Sequence, residues 1–418
     1  MLLAMLLGVG LGLAPAAPSR ADDVGEEAKE SRAEREKRKR KQHAVTEWAY
    51  KKLSESHELL ADEKWAEALA LMNEMSQRKR LNPHEQALMW QTYAYIQSSQ
   101  QKYKQATESF EKCLALDALP EAAALNTQYN LGQLYMSIED YDAAVKTLED
   151  WLGKAENPAG SSYYLLAMAH VQNEDLPRAL PHARNAVARA KAPVESWLQL
   201  LLSLEFELKH YRKVADILEV LVTHFPSKTY YLQLSAIYNE LEREKRTLAV
   251  LELAYVQDLL DRESELLNLA QLYLFHDVPY RAAHVLEKGL EQKRIDDEAD
   301  NWELLGNAWL QAREYDRVIA PLGRAAELSD DGDIYVRLAQ VHMEREEFSE
   351  ALAALEQAFA KGGLEEPGRA YLLLGITHSG AKRYASARKA FNEAYKYEES
   401  RKAARQWISH VEWQEAIH

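Results

Sequence analysis

A single cysteine, Cys113, in 418 residues can close no internal disulfide and supports no cysteine-based metal site. Glycine and proline are scarce as well, at 16 and 12, fewer turn-makers than a many-stranded sandwich or barrel needs. A basic surplus is missing. The formal net charge is −15, which argues against a general nucleic-acid binder. No Gly-rich phosphate loop, no nucleophile motif and no closely spaced zinc-type histidine pair occurs, so catalytic, cofactor-binding and metal residues are all read as none. What is present is a soluble balance of 47% hydrophobic and 28% charged residues, expected to fold as helices.

The first fourteen residues form an uncharged apolar run, about 21 Å long as a helix and too short for a bilayer core of roughly 30 Å. Small residues and prolines follow, then Ser19-Arg20-Ala21. The segment reads as a signal peptide over residues 1–21, despite lacking a basic residue before the apolar run. Residues 22–42 read as a charged flexible arm ending in Lys37-Arg38-Lys39-Arg40-Lys41, the one part of the chain suited to touch a membrane directly.

From His43 the chain repeats itself. Leu131-Gly132, Tyr135, Tyr141, Ala144 and Leu148 return as Leu305-Gly306, Trp309, Tyr315, Val318 and Leu322, and again as Leu374-Gly375, His378, Tyr384, Ala387 and Phe391. Aligned on the small residue of the second half, ten units start the series at Ala68, Ala106 and Ala144 and end it at Ala387. Gln128, Leu131, Gly132 and Tyr135 fall on one helical face, and a small residue at 132 lets a partner helix approach. Single units cannot bury such faces alone and must stack. Pro181 and Pro321 fall inside second helices. His170, His342 and His378 occupy the Tyr/Trp slot and read as core aromatics, and Cys113 as a small buried hydrophobe.

This pattern resembles the tetratricopeptide repeat (TPR). The resemblance implies an all-α fold: a right-handed α-solenoid superhelix of about ten helix–turn–helix repeats over residues 43–400. A C-terminal capping helix is expected over 401–418, with Ala403, Trp407, Ile408 and Val411 facing inward. In such proteins a partner segment often lies along the concave face lined by the first helices. The exposed stripe of the third first helix is Asn126, Tyr129, Gln133 and Met136. The same register selects Gln91 and Tyr95, Tyr164 and Met168, Gln199 and Phe206, then Asn239, Leu267 and Gln271, Asn307, and Gln340 with Met343. Amides, phenols and thioethers suit an extended peptide, so these are the candidate partner-binding residues. The Lys and Asn that clamp a terminal carboxylate in some such domains are not matched here.

The stretches ESELLNLAQLYL from Glu263, VPYRAAHVLEKGLEQ from Val278, WELLGNAWLQAREYD from Trp302 and SRKAARQW from Ser400 are more particular. They resemble the secreted TPR proteins of Gram-negative bacteria linked to the TonB–ExbB–ExbD (or TolR-like) energy-transducing system. That resemblance implies a non-enzymatic periplasmic adaptor, needing no cofactor, whose partners are TonB- or ExbD-type periplasmic domains. A periplasmic scaffold for cell-envelope or cell-wall assembly is the alternative expectation.

Overall fold

Every regular element among the described residues is a helix. The computed structural model describes residues 45–417, and these hold 21 α-helices and no strand. The signal peptide and arm expected over 1–42 lie outside the described residues. Twenty helices pair in sequence as ten hairpins, and the chain divides into two compact units between Phe225 and Pro226.

The first unit carries five hairpins: α1 (Glu47–Ala61) with α2 (Trp65–Ser76), α3 (Pro83–Ser99) with α4 (Tyr103–Ala115), α5 (Glu121–Ser137) with α6 (Tyr141–Leu152), α7 (Gly160–Gln172) with α8 (Leu176–Ala188), and α9 (Glu195–Glu207) with α10 (Tyr211–His224). The second carries α11 (Lys228–Glu240) with α12 (Glu244–Val256), α13 (Glu263–Phe275) with α14 (Pro279–Glu291), α15 (Ala299–Gln311) with α16 (Tyr315–Leu328), α17 (Asp333–Glu344) with α18 (Phe348–Lys361), and α19 (Pro367–Gly380) with α20 (Tyr384–Ala394). A lone α21 (Arg401–Ile417) follows. The all-α repeat architecture and the count of ten hairpins are as the periodicity implied.

One turn closes all ten hairpins. Its apex residue is left-handed, with φ between 55° and 61°: Glu63, Gln101, Glu139, Glu174, Lys209, Glu242, Asp277, Arg313, Glu346 and Lys382. None is glycine. In each case the next N–H donates to the carbonyl five residues back, as from Asp140 to Tyr135 at 3.0 Å and from Asp175 to His170 at 2.8 Å. This is the six-to-one bond of a Schellman motif, and it caps carbonyls that a helix end would otherwise leave bare.

Close approach explains the small residue of each first helix. A Cβ added at Gly132 would stand 2.5 Å from Cδ2 of Leu148, and one at Gly306 would stand 2.5 Å from Cδ2 of Leu322. Ala68, Ala106, Ala144, Ala179, Ala282, Ala351 and Ala387 are all fully buried at the facing position. Pro181 and Pro321 lie inside α8 and α16, both of which continue past them.

In α21, Ala404 and Val411 are fully buried, and Trp407 and Ile408 pack with Val411 on Ala387 and Phe391. The inward stripe is therefore 404, 407, 408 and 411. Ala403, expected to face inward, is only half-buried, because the i, i+3, i+4, i+7 register runs back from Val411 to Ala404.

Candidate functional site

In the first unit, the ties between successive first helices are mostly uncharged polar groups, the exception being the Glu85 carboxylate of α3, which accepts from Thr46 at the start of α1. His57 meets Thr92 at 3.3 Å between α1 and α3, and Gln91 donates to Thr127 at 2.8 Å between α3 and α5. Asn130 donates to the Tyr95 hydroxyl at 3.3 Å. Tyr164 of α7 stacks on Trp197 of α9 at 5.9 Å, and Tyr129 lies 4.8 Å from Trp151 of α6 within its own hairpin. Burial raises the phenol pKa of Tyr95, Tyr129 and Tyr164, so all three stay neutral.

The expected stripe thus divides by burial. Asn126, Phe206, Asn239, Gln271 and Gln340 are exposed. Gln91, Tyr95, Tyr129, Gln133, Met136, Tyr164, Met168, Gln199, Leu267, Asn307 and Met343 are half-buried. Tyr95 joins neighbouring first helices through Asn130, and Tyr164 does so through Trp197, while the register places Asn126 and Gln133 beside Tyr129 on α5.

Charge does most of this linking in the second unit, where Thr377 of α19 also donates to Met343 of α17. Lys228 of α11 pairs with Asp261 and, at 2.8 Å, with Glu265 of α13. Asn301 of α15 donates to Glu263 at 2.8 Å, and Arg337 of α17 pairs with Glu303 and reaches Asn307. A cleft of about 480 Å³ opens beside Lys228, lined also by Thr229, Leu232, Gln233, Asp261, Arg262 and Glu265. The sequence stripe missed this cleft, because Lys228 and Asp261 sit at helix starts and not on the chosen register.

A second recurrent position lies three residues after the small residue of each first helix. It holds Tyr135, His170, Glu205, Tyr238, Tyr273, Trp309, His342 and His378 in successive units. The tip of each of several of these reaches a charged group on a second helix. Tyr135 donates to Glu111 at 2.6 Å, and Trp309 lies under the Arg317 guanidinium at 3.7 Å. Glu205, only 1% exposed, accepts from Arg184 Nε at 2.8 Å and contacts His210 Nδ1 at 2.8 Å. His170 and His342 are buried as expected for core aromatics, and His378 is half-buried. Burial pushes the His170 and His182 pKa values down, keeping both imidazoles neutral near pH 7. Cys113 is fully buried with Ala87, Ala118 and Leu119, and its thiol pKa is pushed up to about 12 by that burial.

Family models of the tetratricopeptide repeat match residues 87–118, 129–194 and 336–404. No curated protein matches the sequence. Solved structures similar to it include MamA from Desulfovibrio magneticus RS-1, 20% identical over 44% of this chain and 99% of that one, with a TM-score of 0.36. YrrB, described as a TPR protein with an unusual peptide-binding site, is 20% identical over 40% of this chain and 83% of its own, with a TM-score of 0.34. A tetratricopeptide repeat protein from Parabacteroides merdae is 15% identical over 69% of this chain and 98% of that one, with a TM-score of 0.27. These likenesses assign neither partner nor activity. With ten hairpins closed by one turn, and with repeat models matching in both units, the chain folds as an all-α array of helix hairpins that carries tetratricopeptide repeats over the matched residues.

Proposed function

We propose that this protein is a non-enzymatic periplasmic scaffold that holds a segment of a partner protein along the first-helix face of its first unit, as an accessory adaptor of a TonB-type energy-transducing system. Tetratricopeptide-repeat proteins are in general protein-interaction scaffolds, and this reading adds location and partner to that. The observation that carries the choice of face is its chemistry: first helices tied without ion pairs, with the amides Asn126 and Gln133 and the thioethers Met136 and Met168 along the stripe. Amides serve an extended backbone as donor and acceptor, and methionines adapt to varied side chains. The charged ties of the second unit suit a fixed structural role better. Likeness to TonB-linked secreted proteins supplies the partner, and the apolar N-terminal run supplies the location. No helix among the described residues is long and apolar enough to cross a membrane.

The test is capture of purified TonB and ExbD periplasmic domains by the full chain, compared with Asn126→Arg plus Phe206→Asp. These two exposed positions spare the Tyr129 and Tyr164 contacts on which folding depends. Retention of at least one domain by the wild type, and its loss in the variant at unchanged helical content, is expected. Failure to retain either domain, together with normal TonB-dependent uptake in a deletion strain, rejects the adaptor reading; equal capture by the variant rejects the face.

A further inference from the structure

We propose that Glu149, His170 and His182, at the junction of the third and fourth repeats, bind one divalent ion of the Zn²⁺ type. One ligating atom from each of the three side chains lies within 4.8 Å of the other two. Glu149 comes from α6, His170 from α7 and His182 from α8, so three packed helices hold the group within the first unit.

Comparison between repeats isolates what is unusual here. The position of His182, three residues after the small residue of the second helix, is apolar or a hydroxyl residue in every other repeat: Ile217, Val250 and Val285 in the next three, Thr147 in the one before. Where Ser109 stands there, its hydroxyl donates to Gln97, which occupies the His170 slot of its own repeat, at 2.7 Å. In the fourth repeat that satisfied pair is replaced by two imidazoles, stacked with centroids 5.4 Å apart and planes within 4°. Nε2 of His170 and Nδ1 of His182 are both buried and make no hydrogen bond. His170 is only 1% exposed, and its Nε2 lies 3.3 Å from a Glu149 carboxylate oxygen without hydrogen-bond geometry.

Two buried nitrogens without a protein hydrogen bond at one spot are rare in native proteins, because each gives up its bond to water without a full replacement. One cation satisfies both together. Donors about 2.0–2.1 Å from a tetrahedral ion stand about 3.3–3.4 Å apart, the span already present between Glu149 and His170; rotation of the His182 ring brings in the third ligand. Two imidazoles and a carboxylate form a zinc-type ligand set that leaves a fourth position for water, and imidazole favours Zn²⁺ over the hard ions Ca²⁺ and Mg²⁺. The Glu149 side chain is 45% exposed, which gives the ion a route from solvent. The neighbouring slots need no ion: Tyr135 has Glu111, and Glu205 has Arg184.

The test is calorimetric titration of the chelator-stripped full chain with ZnCl₂, alongside His182→Val, His170→Tyr and Glu149→Gln. The first two take their replacements from the equivalent slots of other repeats, so packing is kept; the third alters a partly exposed carboxylate and serves if either histidine variant misfolds. One tight equivalent per wild-type chain is expected, with affinity at least ~10-fold weaker in each folded variant. Zn²⁺ should also raise the melting temperature of the wild type and leave that of His182→Val unmoved. No uptake by the wild type, or uptake unchanged in the folded variants, overturns the site and leaves a stacked neutral pair in the core.

Discussion

Gly132 illustrates how a single residue sets the spacing of two helices. Glycine within a helix costs about 1 kcal/mol relative to alanine, yet a Cβ there would stand 2.5 Å from Cδ2 and 2.7 Å from Cγ of the buried Leu148. Overpacking of that kind costs about 1–3 kcal/mol, so Gly132→Ala is expected to lose a net ~1 kcal/mol despite its better helix propensity. In a Leu148→Ala background the same change should become stabilising, and urea unfolding followed by circular dichroism reads the reversal of sign. A second residue-scale case is the exchange of charge between repeats. Glu149 faces His170, while one repeat later Arg184 faces Glu205, the acid having moved from the second helix to the first. Arg184→Ala leaves the buried Glu205 carboxylate short of a donor and should cost about 1–3 kcal/mol, limited because Arg184 is half exposed and His210 still reaches Glu205. Arg184→Glu should cost more, since it sets a second carboxylate against the buried Glu205. Thermal melts of the two variants check both statements. None of this exchange was legible in a reading of one repeat at a time, since each pair joins residues about twenty positions apart on different helices.

Each hairpin, as an element, depends on its turn. Ten non-glycine residues in the left-handed region are affordable because a six-to-one hydrogen bond and two packed helices hold each of them there. This is why so regular an array needs so few glycines. Glu139→Val places a β-branched side chain at φ 61° and is expected to lose about 1–2 kcal/mol, whereas Glu139→Gly should lie within ~1 kcal/mol of the wild type. Differential scanning calorimetry separates the two. The cap of α18 carries a pH dependence. Hydrogen bonds from Arg345, and then from His342, hold the Glu347 carboxyl at about 2, below its ordinary 4.5. A folded-state pKa depressed in this way contributes stability that is complete above about pH 4.5 and fades as pH falls toward 2. Glu347→Gln should therefore flatten the acid limb of the melting-temperature profile over that window. The helices and their pairing were legible from the spacing of small and aromatic residues; the turn was not, because Glu, Gln, Lys, Arg and Asp share no side-chain signature for a left-handed backbone.

At the scale of the whole molecule, a stacked array must close its ends, and α21 does so for the second unit by covering Ala387 and Phe391. Truncation after Ser400 is expected to bare that apolar face, lower the melting temperature and raise dye binding by exposed hydrophobic surface; unchanged melting would refute the capping role. The division at Phe225 was not anticipated from the repeat, which runs through residue 226 without a break in period. The candidate partner face was partly legible: register alone selected its residues, but only packing separated exposed Asn126 and Phe206 from Tyr129 and Tyr164, whose rings pack on Trp151 and Trp197. The sequence by itself determined the helical class, the period, the ten hairpins and the inward stripe of each, because those follow from local periodicity and the size of side chains. Tertiary structure alone decided which polar tips meet, since a pairing such as His170 with His182 depends on the crossing of two helices, and that crossing is set by packing across the whole hairpin.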